Sequence, residues 1–259
     1  MNIKYKSDEI ARFYTEHRNT WSDFYQSERW ILKRVFGEDG RLKSVLDVGC
    51  AAGGLGRALA ERFSLAKYVG VDINQQVIQT ALATQDTFPV PCRFECADIA
   101  DPDCLAGQQF DLVCSFSCAD WNVETTAIMN ACWERVRPGG YFVISLRLTP
   151  ERGVNDMSRS YQYIHFGSAQ PTSQEEKANY VVFNWRDALV TFASLSPLPG
   201  HILGYGYWGK PSFTAVTFYD SLVFAVFALH KTEIDDKETR LELHLPANLL
   251  ISQKRDKRC

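Results

Sequence analysis

The 259-residue chain lacks any hydrophobic run long enough to cross a bilayer. Its longest, Leu222 to Leu229, falls well short of the roughly 20 apolar residues a spanning helix needs and suits a buried strand. No apolar stretch follows the charged start Met1-Asn2-Ile3-Lys4-Tyr5-Lys6, so no secretory leader is expected and the expected location is the cytoplasm. A basic excess is missing too: 28 Lys and Arg face 31 Asp and Glu, for a net charge of −3. That balance gives no footprint for a nucleic-acid partner, and no membrane partner is expected either. The basic end Lys254-Arg255-Asp256-Lys257-Arg258 reads as a solvated tail. Metal-ligand spacing is absent although there are eight cysteines. Cys92/Cys96 and Cys114/Cys118 are spaced by three residues, not two, and no histidine cluster accompanies them. Ile99 and Trp121 stand where a third cysteine of a radical iron–sulfur pattern would be, so no metal is expected. Cys50, Cys114 and Cys132 lie in apolar segments and read as small buried hydrophobes in a reducing compartment.

With 46% hydrophobic and 23% charged residues, the composition is that of an ordinary globular protein with a full core. Val45-Leu46-Asp47-Val48 reads as a short strand. Gly49 to Gly56 supplies residues suited to positive φ and to close approach of a ligand. Leu55 to Phe63 then shows helical spacing. Strand, tight turn and helix in this order open a nucleotide-binding α/β unit. The nicotinamide fingerprint G-x-G-x-x-G fails, because Ala51 occupies the second glycine position. Asp47, inside the strand end, is costly to bury unless it meets a cation or backbone N–H groups. A second apolar strand, Tyr68 to Asp72, ends in another acid about 20 residues beyond the turn, where ribose hydroxyls are usually read.

These residues resemble the class I S-adenosylmethionine-dependent methyltransferases of the small-molecule type. Asp47, Gly49 and Gly53 match the family's acid and G-x-G-x-G, with Ala51 in place of the middle glycine. Asp72 matches the acid ending the second strand. Cys96-Ala97-Asp98-Ile99 resembles the adenine-contacting acid after the third strand. Arg137-Pro138-Gly139-Gly140 before Tyr141-Phe142-Val143-Ile144 resembles the turn into the fifth. The resemblance implies a doubly wound, mostly parallel seven-stranded sheet with helices on both faces, and S-adenosyl-L-methionine as cofactor. One domain over residues 1–259 is expected: a helical arm (1–40), a cofactor-binding core (41–149), an insertion after strand five (150–183) and a C-terminal helix with strands (184–259).

The pattern predicts arm helices from Ser7 and from Ser22 to Phe36. It predicts strands at Ser44–Val48, Tyr68–Asp72, Cys92–Cys96, Phe110–Phe116 and Tyr141–Leu146, and later at His201–Tyr207 and Leu222–Leu229, one of that pair antiparallel. Helices are predicted over 55–63, 74–83, 123–136 and 184–195, the last capped by Asn184. Between strand five and Asn184 the chain is polar and turn-rich, with the aromatic segment Tyr161-Gln162-Tyr163-Ile164-His165-Phe166 inside it. Loops of such length in compact domains are functional or disordered, and the aromatics argue against disorder.

By resemblance, Asp47 and the Gly49 backbone hold the methionine end of the cofactor within the turn of Gly49, Ala51 and Gly53. Asp72 takes the ribose hydroxyls, Asp98 the adenine amino group, and Ile73 and Ile99 pack on the ring. Ser115 to Trp121 lie on the same rim, with Trp121 against the adenine or the acceptor pocket. Tyr14 and Arg18 of the arm would face the methionine carboxylate, which suits a guanidinium fork; packing on the sheet is the plainer role for the arm's aromatics. Methyl transfer needs alignment and exclusion of water, with a general base if the acceptor is a hydroxyl. Asp120, His165 and Tyr163 are the candidate catalytic residues, and Asp120 could equally anchor a substrate ammonium. Tyr161, Arg147 and Arg159 are the candidate substrate residues, the arginines for an anionic group; a solvated surface role is the alternative for at least one. No [DN]-P-P-[YF] follows strand four, which argues against an adenine amine in nucleic acid as acceptor. Pro91-Cys92 precedes strand three, the wrong place for a cytosine C5 nucleophile. A small metabolite is therefore the expected substrate, its acceptor a hydroxyl or amine, with sugar-like and phosphorylated molecules as the two classes considered. The homodimer is left open. A cofactor-binding scaffold without catalysis is the alternative, and a nicotinamide oxidoreductase a weaker one.

Overall fold

The structure, a computed structural model, describes residues 13, 16–164, 176–233 and 238–250. Its centre is one large sheet whose strands, in chain order, are β1 (Val45–Val48), β2 (Tyr68–Asp72), β3 (Cys92–Cys96), β4 (Phe110–Ser115), β5 (Val136–Thr149), β6 (Phe183–Asn184), β7 (His201–Gly209), β8 (Leu222–His230) and β9 (Arg240–His244). Across the sheet they run β3-β2-β1-β4-β5-β8-β7-β9, with β6 pairing alongside the end of β5. The first five are parallel. β8 runs antiparallel to both β5 and β7, so Leu222–His230 is the reversed member of the last pair.

The sheet is covered on both faces because its strands alternate their apolar side chains. Val45, Tyr68, Leu112 and Val143 face a cluster built with α1 (Gln26–Phe36), α2 (Gly54–Arg62) and α3 (Gln75–Ala83). Leu46, Val48, Val71 and Val113 face the other, built with α4 (Thr125–Glu134) and α5 (Trp185–Ala193). Asn74 caps α3, its side chain accepting the Gln76 N–H at 3.0 Å, and Asn184 caps α5 on Arg186 at 2.9 Å. Among the described residues no helix is long and apolar enough to cross a membrane.

Three departures from the sequence pattern have local causes. The helix expected over 22–36 is a 3₁₀ turn, Trp21–Asp23, and then α1. Asp23 accepts the Thr20 and Asn19 N–H groups and Glu28 accepts that of Tyr25. The two acids thus cap separate helical starts and leave Phe24 free to bury. The sheet carries two strands beyond the seven expected: β6, of two residues, and β9, whose Arg-Leu-Glu-Leu-His alternation extends the edge beside β7. Two strands of the insertion, Tyr161–Tyr163 and Lys177–Asn179, form a small antiparallel sheet with Ala215–Val216, which lies between β7 and β8. The insertion is pinned to the body where the Val181 N–H donates to the Asp120 carbonyl at 3.0 Å. The arm helix expected from Ser7 lies outside the described residues.

Candidate active site

The parallel strands end on one rim, and the turn after β1 is its floor. Backbone φ is positive at alternate residues there, +77° at Gly49, +46° at Ala51 and +83° at Gly53. This alternation is the physical content of the G-x-A-x-G spacing. At Gly49 a Cβ would also lie 2.5 Å from the Cys118 sulfur, so a side chain is excluded twice over. Ala51 adopts the left-handed conformation at a cost of about 1–2 kcal/mol. The turn is tied to β2 by the Gly49 and Cys50 N–H groups, which donate to the Val71 carbonyl at 2.8 and 3.1 Å. Asp72 completes the tie: its Oδ2 accepts the Ala51 N–H at 3.0 Å and its Oδ1 the Asn74 N–H at 2.9 Å.

Asp47 is buried behind the turn, and the Tyr68 hydroxyl donates to its Oδ2 at 2.6 Å. Burial pushes its carboxyl up to about 7; the Tyr68 bond and Arg18 pull it down, Asp72 and Glu28 push it up. Burial also raises Asp72, against the two backbone N–H groups that favour its charge. Asp98, half-buried, accepts the Ala100 N–H at 3.0 Å.

Around these groups lies a cleft of about 1080 Å³, a volume that takes in some open solvent. Asp47, Gly49, Ala51, Asp72, Ile73, Asp98, Ile99 and Trp121 all line it. Arg18 lines it as well, at φ +60°, with its carbonyl against Gly54 where a Cβ would collide. Its guanidinium gives Nη2 to both oxygens of the buried Glu28, at 2.9 and 3.0 Å, and lies 4.4 Å over the Phe24 ring. Gly53 shapes the turn and stands outside the cleft's described lining, as does the fully buried Ser115. Ser117 and Cys118, within the stretch expected on this rim, line it too, and Phe24 and Asn122 do so without having been singled out.

A second pocket, about 480 Å³, shares Ser117 and Trp121 with the cleft. Asp120 and Arg147 meet in its wall, Nε to Oδ2 at 3.1 Å. Burial raises the Asp120 carboxyl and Arg147 opposes it. Gln162 also lines this pocket. Its neighbours Tyr161 and Tyr163 point away, as strand alternation requires: their hydroxyls lie 3.5 Å apart, with the Lys177 ammonium over both rings. Neither tyrosine is in the described lining of either pocket, and Arg159 packs on Phe218 away from both. Tyr14 and His165 lie outside the described residues. Tyr68 and Glu28 were missed as site residues. A period-2 reading of β2, which puts Tyr68 on a common face with Gly70 beside Asp47, would have found the first.

An open sheet in the order 3-2-1-4-5, carrying acids at the ends of β1 and β2 and a left-handed turn between them, is a doubly wound architecture of the kind found in solved methyltransferases. Residues 45–140 match the family model described as "Methyltransferase domain". It is similar to a trans-aconitate 2-methyltransferase of Deinococcus radiodurans, 33% identical over 103 residues that make up 39% of this chain and 37% of that protein. Among solved structures, TehB from Haemophilus influenzae shares the fold at TM-score 0.55 and 14% identity, over 86% of this chain and 67% of that one. Phosphoethanolamine N-methyltransferase 2 of Haemonchus contortus, solved with S-adenosyl-L-methionine, does so at TM-score 0.51 and 17% identity, over 79% and 52%. The chain spans less than half the length of the curated relatives it matches.

Proposed function

We propose that the protein transfers a methyl group from S-adenosylmethionine to a hydroxyl or amine of a small molecule. The observation that carries this reading is the convergence of Asp47, Asp72 and Asp98 with the Gly49–Gly53 turn on one cleft. The cleft fits the cofactor on its own chemistry: a buried carboxyl held up to about 7 gains most from a cation, which the methionine ammonium provides. When bound, the cofactor supplies a methyl on a sulfonium, whose S–C bond breaks with its electron pair staying on sulfur as the acceptor heteroatom bonds the carbon.

The chain's own residues bind and align. Asp47 and the bare turn take the methionine end, Asp72 the ribose, Asp98 the adenine amino group, and Ile73 and Ile99 the ring faces. Arg18 and Phe24 line the cleft beside the turn. Asp120, in the adjoining pocket, takes the proton that a hydroxyl or ammonium acceptor must lose. Of the two substrate classes considered, sugar-like and phosphorylated, the charges around Asp120 favour the first. Calorimetric titration with S-adenosylhomocysteine tests the reading: the wild type binds, and Asp98→Ala weakens binding without lowering the melting temperature. A wild type that does not bind refutes it. Retained binding with no methyl transfer to any acceptor tried, and a cellular function indifferent to Asp120→Asn, would point instead to a scaffold.

A further inference from the structure

The second pocket holds charge whose arrangement selects a ligand. Among its described lining residues are two carboxylates, Glu28 and Asp120, and a single cation, Arg147. All are buried, at 0, 3 and 5% exposure. Arg147 is engaged on three sides: Nε on Asp120, Nη1 on the Val181 carbonyl at 3.4 Å, and its guanidinium 3.7 Å from the Tyr180 ring centroid. Glu28 is balanced from the cofactor side by Arg18. The two pairs cancel and leave no uncommitted cation in the described wall. What remains unmatched is of the opposite kind. Asp120 Oδ1 and Gln162 Oε1 are buried oxygens that meet no donor among the described residues. A buried acceptor without a donor is destabilising, so a ligand that brings donors gains there.

We propose that this pocket takes the methyl acceptor and selects an uncharged or cationic molecule bearing N–H or O–H groups, turning away phosphorylated and carboxylated ones. The proposal rests on the methyl-transfer reading and adds the substrate's charge class to it. An anion entering here meets two carboxylates, and the lone arginine has already placed its Nε on Asp120 and its Nη1 on the Val181 carbonyl. An amine or polyol breaks no existing pair. Ser117 and Trp121, shared with the cofactor cleft, form the wall across which its heteroatom faces the donor.

The test titrates inorganic phosphate by calorimetry into the full chain saturated with S-adenosylhomocysteine. The wild type should show no saturable binding in the millimolar range that depends on Arg147. Asp120→Asn, which releases that arginine, should tighten phosphate binding by at least about tenfold, and adding Arg147→Gln should remove the gain. Phosphate binding by the wild type that Arg147→Gln abolishes overturns the proposal, and that comparison decides even if Asp120→Asn does not fold. A second readout is the product. Label from methyl-labelled S-adenosylmethionine, incorporated into a small-molecule extract, should pass an anion exchanger; label retained as an anion overturns the proposal as well. Failure to bind S-adenosylhomocysteine would instead bring down the methyl-transfer reading, a separate result from either readout.

Discussion

On the methyl-transfer reading, Tyr68 should set the pH at which the cleft takes a cationic ligand. Its hydroxyl donates to Asp47 Oδ2 at 2.6 Å inside the core, and the carboxyl is held at about 7 by burial working against that bond. A hydrogen bond to a buried charged group contributes roughly 1.5–3 kcal/mol, and one pH unit corresponds to about 1.4 kcal/mol. Tyr68→Phe should therefore move the Asp47 midpoint upward by about one to two pH units. Only the carboxylate pairs with an ammonium, so affinity for S-adenosylhomocysteine should fall about tenfold for each pH unit below the midpoint. At pH 7 the variant should bind roughly ten- to a hundredfold more weakly than at its own plateau, whereas the wild type is near half-ionised. Raising the pH to 9 should recover most of the loss. Calorimetry in two buffers of different ionisation enthalpy should show about half a proton released per ligand bound by the wild type at pH 7, and close to one by the variant. Wild-type affinity that is flat between pH 6 and 8, or a Tyr68→Phe defect that does not respond to pH, would refute the account.

The same carboxyl links stability to pH in the ligand-free protein. Its ordinary value of 3.8 is raised to about 7 on folding, so between those limits the native state binds more protons than the unfolded one. The contribution is fully present below pH 3.8 and is lost as the pH rises to about 7, a difference of roughly 4 kcal/mol. The melting temperature should therefore fall between pH 5 and 8, and Asp47→Asn should flatten that slope in scanning calorimetry. Ala51→Gly relieves a left-handed alanine at φ +46° and should stabilise by about 0.5–1 kcal/mol after the extra freedom of the unfolded chain is counted, read as a higher denaturant midpoint at unchanged slope. Gly54→Ala drives a methyl group into the Arg18 carbonyl, and hydrogen exchange at residues 18–24 should quicken while that of β1 and β4 stays protected.

Much of this was legible because period and punctuation agree in the core. β2 and β3 fall at the residues the apolar alternation marks, and the acids at 47, 72 and 98 converge because parallel strands end on one rim. The aromatic segment of the insertion was legible as a feature but not in its facing. The two tyrosines that attract attention face Lys177, and the plain residue between them, Gln162, turns to the pocket, because alternation along a strand is fixed only once its partners are known. Arg147 shows the same limit in electrostatic form. An arginine at a strand end reads equally as an anion receptor or as a counter-ion, and the choice is made by Asp120, which stands 27 positions earlier in the chain and 3.1 Å away in space. The sign of the site is thus a tertiary property. A linear pattern identifies the charged groups, but the pairing that cancels one of them decides which substrates the remainder attracts.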